Sequence, residues 1–166
     1  MLGHVGTGLE GVVAKRLDQP YRPGWRGWQM LRTRITTEAV TVVGGVTGPV
    51  QEPQELILGR HDDTGRLWIA GRTTVLRSAT AARLGALLED HAHGWPERLP
   101  AHSWGAPRTA YTRVRPDVVV EVCADLALDG LRWRHPVRFV SIRHDLEALD
   151  LLDASCRDDV DESAAS

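Results

Sequence analysis

Short runs rich in β-branched residues, separated by turn-forming residues, dominate the middle of this sequence. Between two of these runs stands Asp62-Asp63-Thr64-Gly65, which is a hairpin signature. The length and composition of these runs are typical of strands, and the runs are too short for buried helices. The chain is therefore predicted to build a mainly antiparallel β structure from five runs, at 39–47, 55–61, 66–73, 118–126 and 137–143.

A helix is predicted between the third and fourth of these strands. Leu84, Leu87, Leu88 and His91 recur at helical spacing, which indicates a helix over 78–91 with these leucines in the core. Ser78 or Thr80 is a candidate cap, and Gly94 is the expected end. Three strands, a helix and two strands are the order of an OB-fold. The prediction is a five-stranded OB-fold barrel with one helix between strands 3 and 4.

The N-terminal region contains the sole lysine of the chain, and 19 arginines supply the remaining basic side chains. Lys15 ends the run Glu10-Gly11-Val12-Val13-Ala14-Lys15, inside a strand predicted over 9–16. A second strand is predicted over 28–34, after a loop rich in proline and glycine. Two strands therefore precede the predicted barrel.

Three segments resemble, in order, the nucleotidyltransferase motifs IV, V and VI of bacterial ATP-dependent DNA ligases. They are Gly8 to Asp18 with the following Pro20 to Gly24, Trp28-Gln29-Met30-Leu31-Arg32, and Arg134 to Phe139 with Arg143-His144-Asp145. The hairpin from Leu58-Gly59 to Ala70-Gly71 resembles the OB domain of the family. The resemblance implies three regions: a C-terminal remnant of the adenylation domain at 1–35, an OB-fold domain at 36–150, and an acidic disordered tail at 151–166.

The resemblance also implies an activity. In this family AMP from ATP is attached to a lysine, moves to the 5′-phosphate of a nick in double-stranded DNA, and is displaced by the 3′-hydroxyl. Mg²⁺ and cationic side chains neutralise charge at phosphorus. The expected cofactors are thus ATP and Mg²⁺, the expected partner is nicked double-stranded DNA, and the expected roles are repair and recombination.

Individual roles follow from the positions that match the motifs. Glu10 is expected to help hold the metal, and Lys15 and Arg32 to contact the nucleotide phosphates. Trp28 is expected to pack beside the nucleotide. Arg143 and Asp145 are expected to act from the OB domain in the first step, orienting the leaving pyrophosphate.

The sequence also departs from the family pattern. It contains no Lys-x-Asp-Gly, the motif that carries the nucleophilic lysine, while Met30 and Leu146 stand where the family often has lysine. Covalent catalysis requires an activated amine in line with the phosphate. The chain alone is therefore expected not to form enzyme–AMP and to depend on a separate adenylation half.

Three arginines near the last strand are candidate DNA contacts: Arg132, Arg134 and Arg138. In a DNA-facing patch they would neutralise phosphates and make binding sensitive to salt. An ordinary basic surface is the competing interpretation. Arg138 and Arg143 lie five residues apart, so on a regular strand they would face opposite sides.

Other features leave alternatives open. Glu121, inside an apolar run, is expected either to be exposed or to pair with an arginine. His91 and His93 lack further ligands at zinc spacing, so a helix end is the favoured interpretation. The tryptophans could stack on bases, although core or loop anchoring is favoured: Trp68, Trp95, Trp104 and Trp133. The alternative function is a non-catalytic OB-fold module that binds nucleic acid or protein.

Targeting and redox features predict a cytoplasmic protein, and the resemblance to DNA ligases implies association with the nucleoid when the protein is bound to DNA. No apolar run approaches the roughly 20 residues of a membrane helix, and the N-terminus does not resemble a signal peptide. Cys123 and Cys156 fit neither a disulfide framework nor a metal motif. Residues 144–166 hold eight acidic side chains and one basic side chain, which is typical of a solvated tail.

Overall fold

The computed structural model describes residues 11–20, 22–23, 30–34, 36–62, 64–99, 110–125, 128–129 and 132–151. The described part is mainly β with one helix. The strands are β1 Gly11–Lys15, β2 Met30–Arg34, β3 Thr36–Thr47, β4 Glu55–His61, β5 Leu67–Arg72, β6 Thr112–Arg113, β7 Val119–Asp125, β8 Leu128–Asp129, β9 Arg132–Trp133 and β10 Arg138–Ile142. The helix, α1, spans Ser78–Gly85 and lies between β5 and β6 in the chain.

The main sheet has the order β10-β7-β3-β4-β5, with every neighbouring pair antiparallel and β6 attached to β3. A parallel bridge between Thr73 and Val137 joins its two outer strands. There the Thr74 N–H donates to the Val137 carbonyl (2.8 Å), and the Val137 N–H donates to the Arg72 carbonyl (2.9 Å). The sheet thus curls upon itself, and the predicted mainly β, OB-fold-like domain is confirmed.

Bulges let the strands curve around one core. The register shifts between Val43 and Gly45, between Leu58 and Gly59, and between Phe139 and Ser141. An extra residue on one strand bends it and increases its twist. The enclosed core is apolar and includes Val43, Val46, Leu56, Leu58, Leu84, Val114, Val120, Val122 and Trp133.

A second apolar cluster lies beside this core and is centred on Trp95. Ile57 and Leu99 are buried with it, and the indole N–H donates to the Leu67 carbonyl (2.9 Å). The indole lies over two glycines: a Cβ built on Gly44 would lie 2.4 Å from its Cη2, and one on Gly59 would lie 2.9 Å from its Cζ2. The indole ring therefore packs against the two strands at the glycine positions, where no side chain is present.

The hairpin predicted at residues 62–65 is organised by Asp62. Its Oδ1 accepts hydrogen bonds from the Thr64 N–H (3.0 Å), the Thr64 hydroxyl (2.6 Å) and the Arg66 N–H (2.9 Å). Gly65 has a φ of 77°, which favours glycine. Hydrogen bonds from Thr64 and from the Trp68 indole lower the pKa of Asp62 to about 2. Asp63 lies outside the described residues.

The helix is shorter than predicted, and Gly94 does not end it. A Cβ at Gly85 would lie 2.0 Å from the Gln51 carbonyl oxygen, so the backbone is closely packed where the helix stops. Beyond it, the His91 N–H donates to the Arg113 carbonyl (3.1 Å), and the Arg115 N–H donates to the Glu89 carbonyl (2.9 Å). Tertiary pairing thus replaces the helical pattern there.

Two details of the predicted helix are also wrong. No side chain caps its start, where Arg77 is the N-cap residue, so neither Ser78 nor Thr80 has the predicted capping role. Leu84 and Leu88 are buried as predicted, but Leu87 is 42% exposed because the helix has ended before it.

The remaining predictions can be followed over the described residues. Each predicted strand is found, while the short strands β6, β8 and β9 were not predicted. Trp95 and Trp133 are buried as anchors, Trp68 is 41% exposed, and Trp104 lies outside the described residues. Cys123 is a free thiol, and Cys156 lies outside them. Among the described residues, no helix has the length and apolarity needed to cross a membrane.

Candidate functional site

The hairpin of β1 and β2 brings together two of the predicted phosphate contacts. Lys15 pairs with Met30, and Val13 pairs with position 32. Partners across an antiparallel pair share a face, so positions 15 and 32 are diagonal neighbours on one face, a spacing of roughly 7–8 Å. Lys15 is exposed. The neutral Met30 is thus the residue directly opposite the single lysine.

Two other predicted residues of this region, Glu10 and Trp28, lie outside the described residues. Within the described part, Arg16 follows Lys15 and forms a fork on Asp18, with Nε donating to Oδ1 (2.9 Å) and Nη2 to Oδ2 (2.5 Å). This pair raises the pKa of Arg16 and lowers the pKa of Asp18. At the end of β1, the exposed Lys15 is therefore followed by an arginine that is paired with Asp18.

The two residues assigned to motif VI form one unit. Arg143 donates from Nε to Oδ1 of Asp145 (2.8 Å) and from Nη2 to Oδ2 (2.7 Å). This bidentate pair is the strong geometry for guanidinium and carboxylate. It lowers the pKa of Asp145 to about 2 and raises the pKa of Arg143. Asp145 thus orients Arg143, which retains further N–H donors beyond the two used here.

The sheet fixes the base of this unit. The Arg143 N–H donates to the Val119 carbonyl (2.9 Å), which holds the backbone against β7. Two residues earlier on each strand, the Ser141 hydroxyl donates to Oε2 of Glu121 (2.8 Å). The negative charge of Glu121 also raises the pKa of Arg143. Glu121, whose partner the sequence left open, is half-buried and bonded to a serine.

A bulge in β10 changes the expected placement of its arginines. Arg138 pairs with Cys123 and Ser141 pairs with Glu121, so Val140 is an extra residue. Cys123 and Glu121 lie two residues apart and share a face of β7, so Arg138 and Ser141 share a face as well. Arg143 follows Ser141 by two residues. The prediction that Arg138 and Arg143 oppose each other, made for a regular strand, is wrong because this strand is not regular.

The three predicted DNA contacts differ in exposure. Arg134 and Arg138 are exposed. Arg132 is half-buried in β9, and its Nη2 is buried without a hydrogen-bond partner in the described part of the chain. A phosphate in solvent cannot reach a buried guanidinium nitrogen. The exposed Arg138 is therefore better placed than Arg132 to contact phosphate.

Comparison with known proteins decides the relationship of the chain. No protein-family model matches it. DNA ligase C1 of Mycolicibacterium smegmatis is 31% identical over 148 residues, which cover 86% of this chain and 42% of that ligase. DNA ligase C2 of the same organism is 31% identical over 166 residues and is matched over 46% of its length. The chain is therefore similar to part of these DNA ligases.

Solved structures of ligases agree with this relationship. The ligase domain of LigD from M. tuberculosis aligns with a TM-score of 0.56 and 27% identity, over 86% of this chain and 47% of that one. A mycobacterial DNA ligase D complexed with ATP and MES aligns with a TM-score of 0.54. The predicted resemblance to the C-terminal part of a ligase is confirmed, and the chain spans less than half of the length of these relatives.

Sequence reasoning missed some surface residues of this chain. Arg77 and Arg138 line the same surface groove, although the two are far apart in the sequence. On the β4–β5 hairpin, the Arg66 guanidinium lies 4.2 Å from the ring centroid of the exposed Trp68, whose indole N–H donates to Asp62 (2.5 Å). The pairing of Arg77 with Arg138 in one groove depends on tertiary contacts, whereas the contacts of Trp68 are local to the β4–β5 hairpin but match no sequence motif.

Proposed function

We propose that this chain is the C-terminal, OB-fold-like part of an ATP-dependent DNA ligase that seals nicks in double-stranded DNA during repair or recombination. The observation that carries the proposal is the similarity to named DNA ligases over 86% of the chain. The order of motifs IV, V and VI supports the ATP-dependent type. The proposal includes the predicted domain boundaries at residues 35 and 150. It also includes the association of the protein with the nucleoid when bound to DNA.

Phosphate is the chemical group that the proposed residues have in common. Lys15 and Arg32, on one face of the β1–β2 hairpin, contact the nucleotide phosphates in this proposal. Arg143, held by Asp145, orients the pyrophosphate as it leaves. Fixed cations placed where charge develops lower the barrier without reorganising during the reaction. The exposure of Lys15 and the oriented fork of Arg143 fit a phosphate ligand such as ATP.

The expected Mg²⁺ would supply charge neutralisation at the phosphates. Among the described residues, no group of three or more His, Cys, Asp or Glu side chains is arranged to hold a metal ion. This part of the chain therefore does not fit a self-contained metal site, and Glu10 remains the single proposed ligand. Further ligands would come from phosphate oxygens, water or the rest of a ligase.

Enzyme–AMP formation is not assigned to any residue of this chain. The motif with the nucleophilic lysine is absent from the sequence, and Lys15 is assigned to phosphate contact. The proposal therefore needs an adenylation half, in the same or another polypeptide.

The test uses this chain with ATP and Mg²⁺, followed by intact mass measurement, and then a nick-sealing assay after adding the separate adenylation half of a related ligase. We expect no added AMP on this chain and sealing only in the mixture. K15Q should reduce sealing, whereas R83Q, which removes an exposed charge on α1, should not.

Two outcomes contradict the proposal. A covalent AMP adduct on this chain would overturn the phosphate-contact role of Lys15. DNA binding without sealing in any mixture would favour the alternative of a non-catalytic binding module.

A further inference from the structure

Glu121 is an acidic residue in a mostly apolar strand, β7. Its neighbours Val120 and Val122 are both buried in the core, so the alternation of the strand turns Glu121 toward the opposite face of the sheet. The side chain is half-buried there. A carboxylate that is partly removed from water needs polar partners, and those partners connect Glu121 to the proposed phosphate site.

Ser141 is the first partner, and it holds the carboxylate in one orientation. Its hydroxyl donates to Oε2 of Glu121 (2.8 Å), and the two residues lie directly opposite each other in the sheet. On the other side of β7, Glu121 pairs with Val40, whose aliphatic side chain has no hydrogen-bonding group. Of the two paired residues, the serine is therefore the one whose side chain can bond the carboxylate.

The bulge in β10 creates this pairing. In a regular strand Val140 would lie opposite Glu121, but Val140 is the extra residue and Ser141 takes that place. Arg143, two residues after the serine, then lies on the same face. Bulges commonly re-aim side chains next to functional sites. This bulge places a hydroxyl and a guanidinium on the face that carries the Glu121 carboxylate.

Arg143 is the second partner, and it lies between two carboxylates. Its backbone N–H donates to the Val119 carbonyl (2.9 Å), two residues from Glu121 along β7. Such diagonal neighbours are roughly 7–8 Å apart, within reach of long side chains. The bidentate bond to Asp145 raises the pKa of Arg143, and the negative charge of Glu121 adds to this effect. One carboxylate thus attracts the guanidinium toward the sheet, and the other toward the loop that follows β10.

The two carboxylates differ in their surroundings. The Asp145 side chain is 63% exposed, whereas that of Arg143 is 28% exposed. Water and salt screen an exposed ion pair, so such a pair alone holds a side chain weakly. Glu121 is half-buried and is fixed by Ser141, so its attraction is screened less. The guanidinium therefore needs Glu121 as well as Asp145 to keep one direction.

We propose that Glu121, oriented by Ser141, is a positioning residue that holds the Arg143 guanidinium in the direction needed to meet the leaving pyrophosphate. The inference rests on the proposed function for the choice of pyrophosphate. Glu121 contacts no reacting atom, and its negative charge repels a phosphate, so it contributes orientation and not affinity. A cation that is fixed before the reaction stabilises developing charge without reorganising.

The experiment measures two steps of nick sealing, using this chain mixed with the adenylation half of a related ligase. Formation of enzyme–AMP from ATP reports the first step, and sealing of a nick whose 5′-phosphate already carries AMP bypasses it. E121Q keeps the shape of the side chain and removes its charge. It should lower kcat of the first step roughly 10- to 100-fold, as expected for a misplaced group, without raising the KM for ATP. The loss should be confined to this step.

S141A removes the orienting hydroxyl and should cause a smaller loss in the same step, and S141T, which keeps the hydroxyl, should recover most of it. The matched control is E38Q, which changes an exposed glutamate on the same face of the sheet, paired with Cys123. It should alter neither step. A lower KM for ATP with an unchanged kcat in E121Q would overturn the proposal, because Glu121 would then act through its charge alone. Equal losses in both steps, or the same loss in E38Q, would overturn it as well.

A measurement on this chain alone separates failure of this inference from failure of the proposed function. NMR follows the Arg143 Nε–H, whose hydrogen bond to Asp145 slows its exchange with water. This exchange should accelerate several-fold in E121Q and S141A, but not in E38Q. If circular dichroism shows that E121Q does not fold, S141A decides by the same readouts.

The two failures then have different signatures. If the mixture never forms enzyme–AMP but the Nε–H exchange responds as expected, the ligase role fails and the positioning of Arg143 by Glu121 stands. If the mixture is active while kcat and the exchange are unchanged in E121Q, the positioning fails and the ligase role stands.

Discussion

Replacing Gly44 by alanine should destabilise the fold through a clash with one identified side chain. A Cβ on Gly44 would lie 2.4 Å from Cη2 and 2.5 Å from Cζ3 of Trp95. The indole is buried, with 6% of its surface exposed, and is held by its hydrogen bond to the Leu67 carbonyl. Because neither group can move freely, we expect G44A to cost about 1–3 kcal/mol. In a chain of this size each kcal/mol lowers Tm by roughly 2–4 °C.

The sign of that effect should change when Trp95 is removed. W95A alone should cost about 3–5 kcal/mol, since it empties the centre of the second cluster. In the W95A background the alanine at position 44 meets no ring, and Gly44 is not among the glycines with positive φ. There G44A should be neutral or stabilise by about 0.4–1 kcal/mol, because alanine restricts the unfolded chain more than glycine does.

Urea unfolding followed by far-UV circular dichroism measures all four proteins of this double-mutant cycle. We expect a coupling energy of about 1–4 kcal/mol, which is the difference between the effects of G44A with and without the indole. G94A is the matched control, since a Cβ there meets nothing within 4 Å, and it should change stability by less than about 0.5 kcal/mol. If the effects of G44A and W95A on the free energy of unfolding add to within about 0.5 kcal/mol, the packing of Trp95 against Gly44 is refuted.

Two further predictions concern single polar groups. T73V should lower the free energy of unfolding in urea by about 1–3 kcal/mol, because the buried Thr73 Oγ1 accepts a hydrogen bond from the Leu56 N–H (3.0 Å) and valine leaves that donor unpaired. T73S keeps the oxygen and should retain most of the stability. Equal losses in both variants would count against this hydrogen bond. The Asp145 carboxyl should titrate near pH 2 by NMR, and its pKa should return toward the ordinary value in R143Q. Because the pKa is depressed in the folded state, the pair contributes stability above the unfolded pKa and loses it as the pH falls toward 2. An unchanged titration midpoint in R143Q would contradict the bidentate pair.

The fold could be predicted from sequence where local pattern and tertiary context agree. The valine-rich run that became β3 is β-branched and ends at Gly48, whose φ of 76° suits the turn that follows. The predicted hairpin around Asp62 formed because its turn residues supply their own hydrogen bonds. In each case the determining interaction lies within a few residues of the chain.

Tertiary contacts account for what could not be predicted. The leucine spacing at 84, 87 and 88 favoured a long helix, but residues 89–91 bond to residues 113–115 instead. The bulge at Val140 leaves no sequence signal, yet it determines which face Arg138 occupies. In the candidate site, the pairing of Arg143 with Asp145 follows from their short separation in the sequence. Arg77 and Arg138, in contrast, line one groove because the sheet closes between their segments.

The position of β3 at the centre of the sheet also has a consequence for biosynthesis. One edge of β3 pairs with β4, which leaves the ribosome soon afterwards, but the other edge pairs with β7 from Thr36↔Asp125 to Val42↔Val119. Contacts between such distant segments form slowly, and an unpaired strand edge invites association with other chains. Nascent chains therefore carry an open edge until β7 has been translated, so slower growth at low temperature or a chaperone that shields this edge should raise the yield of folded protein.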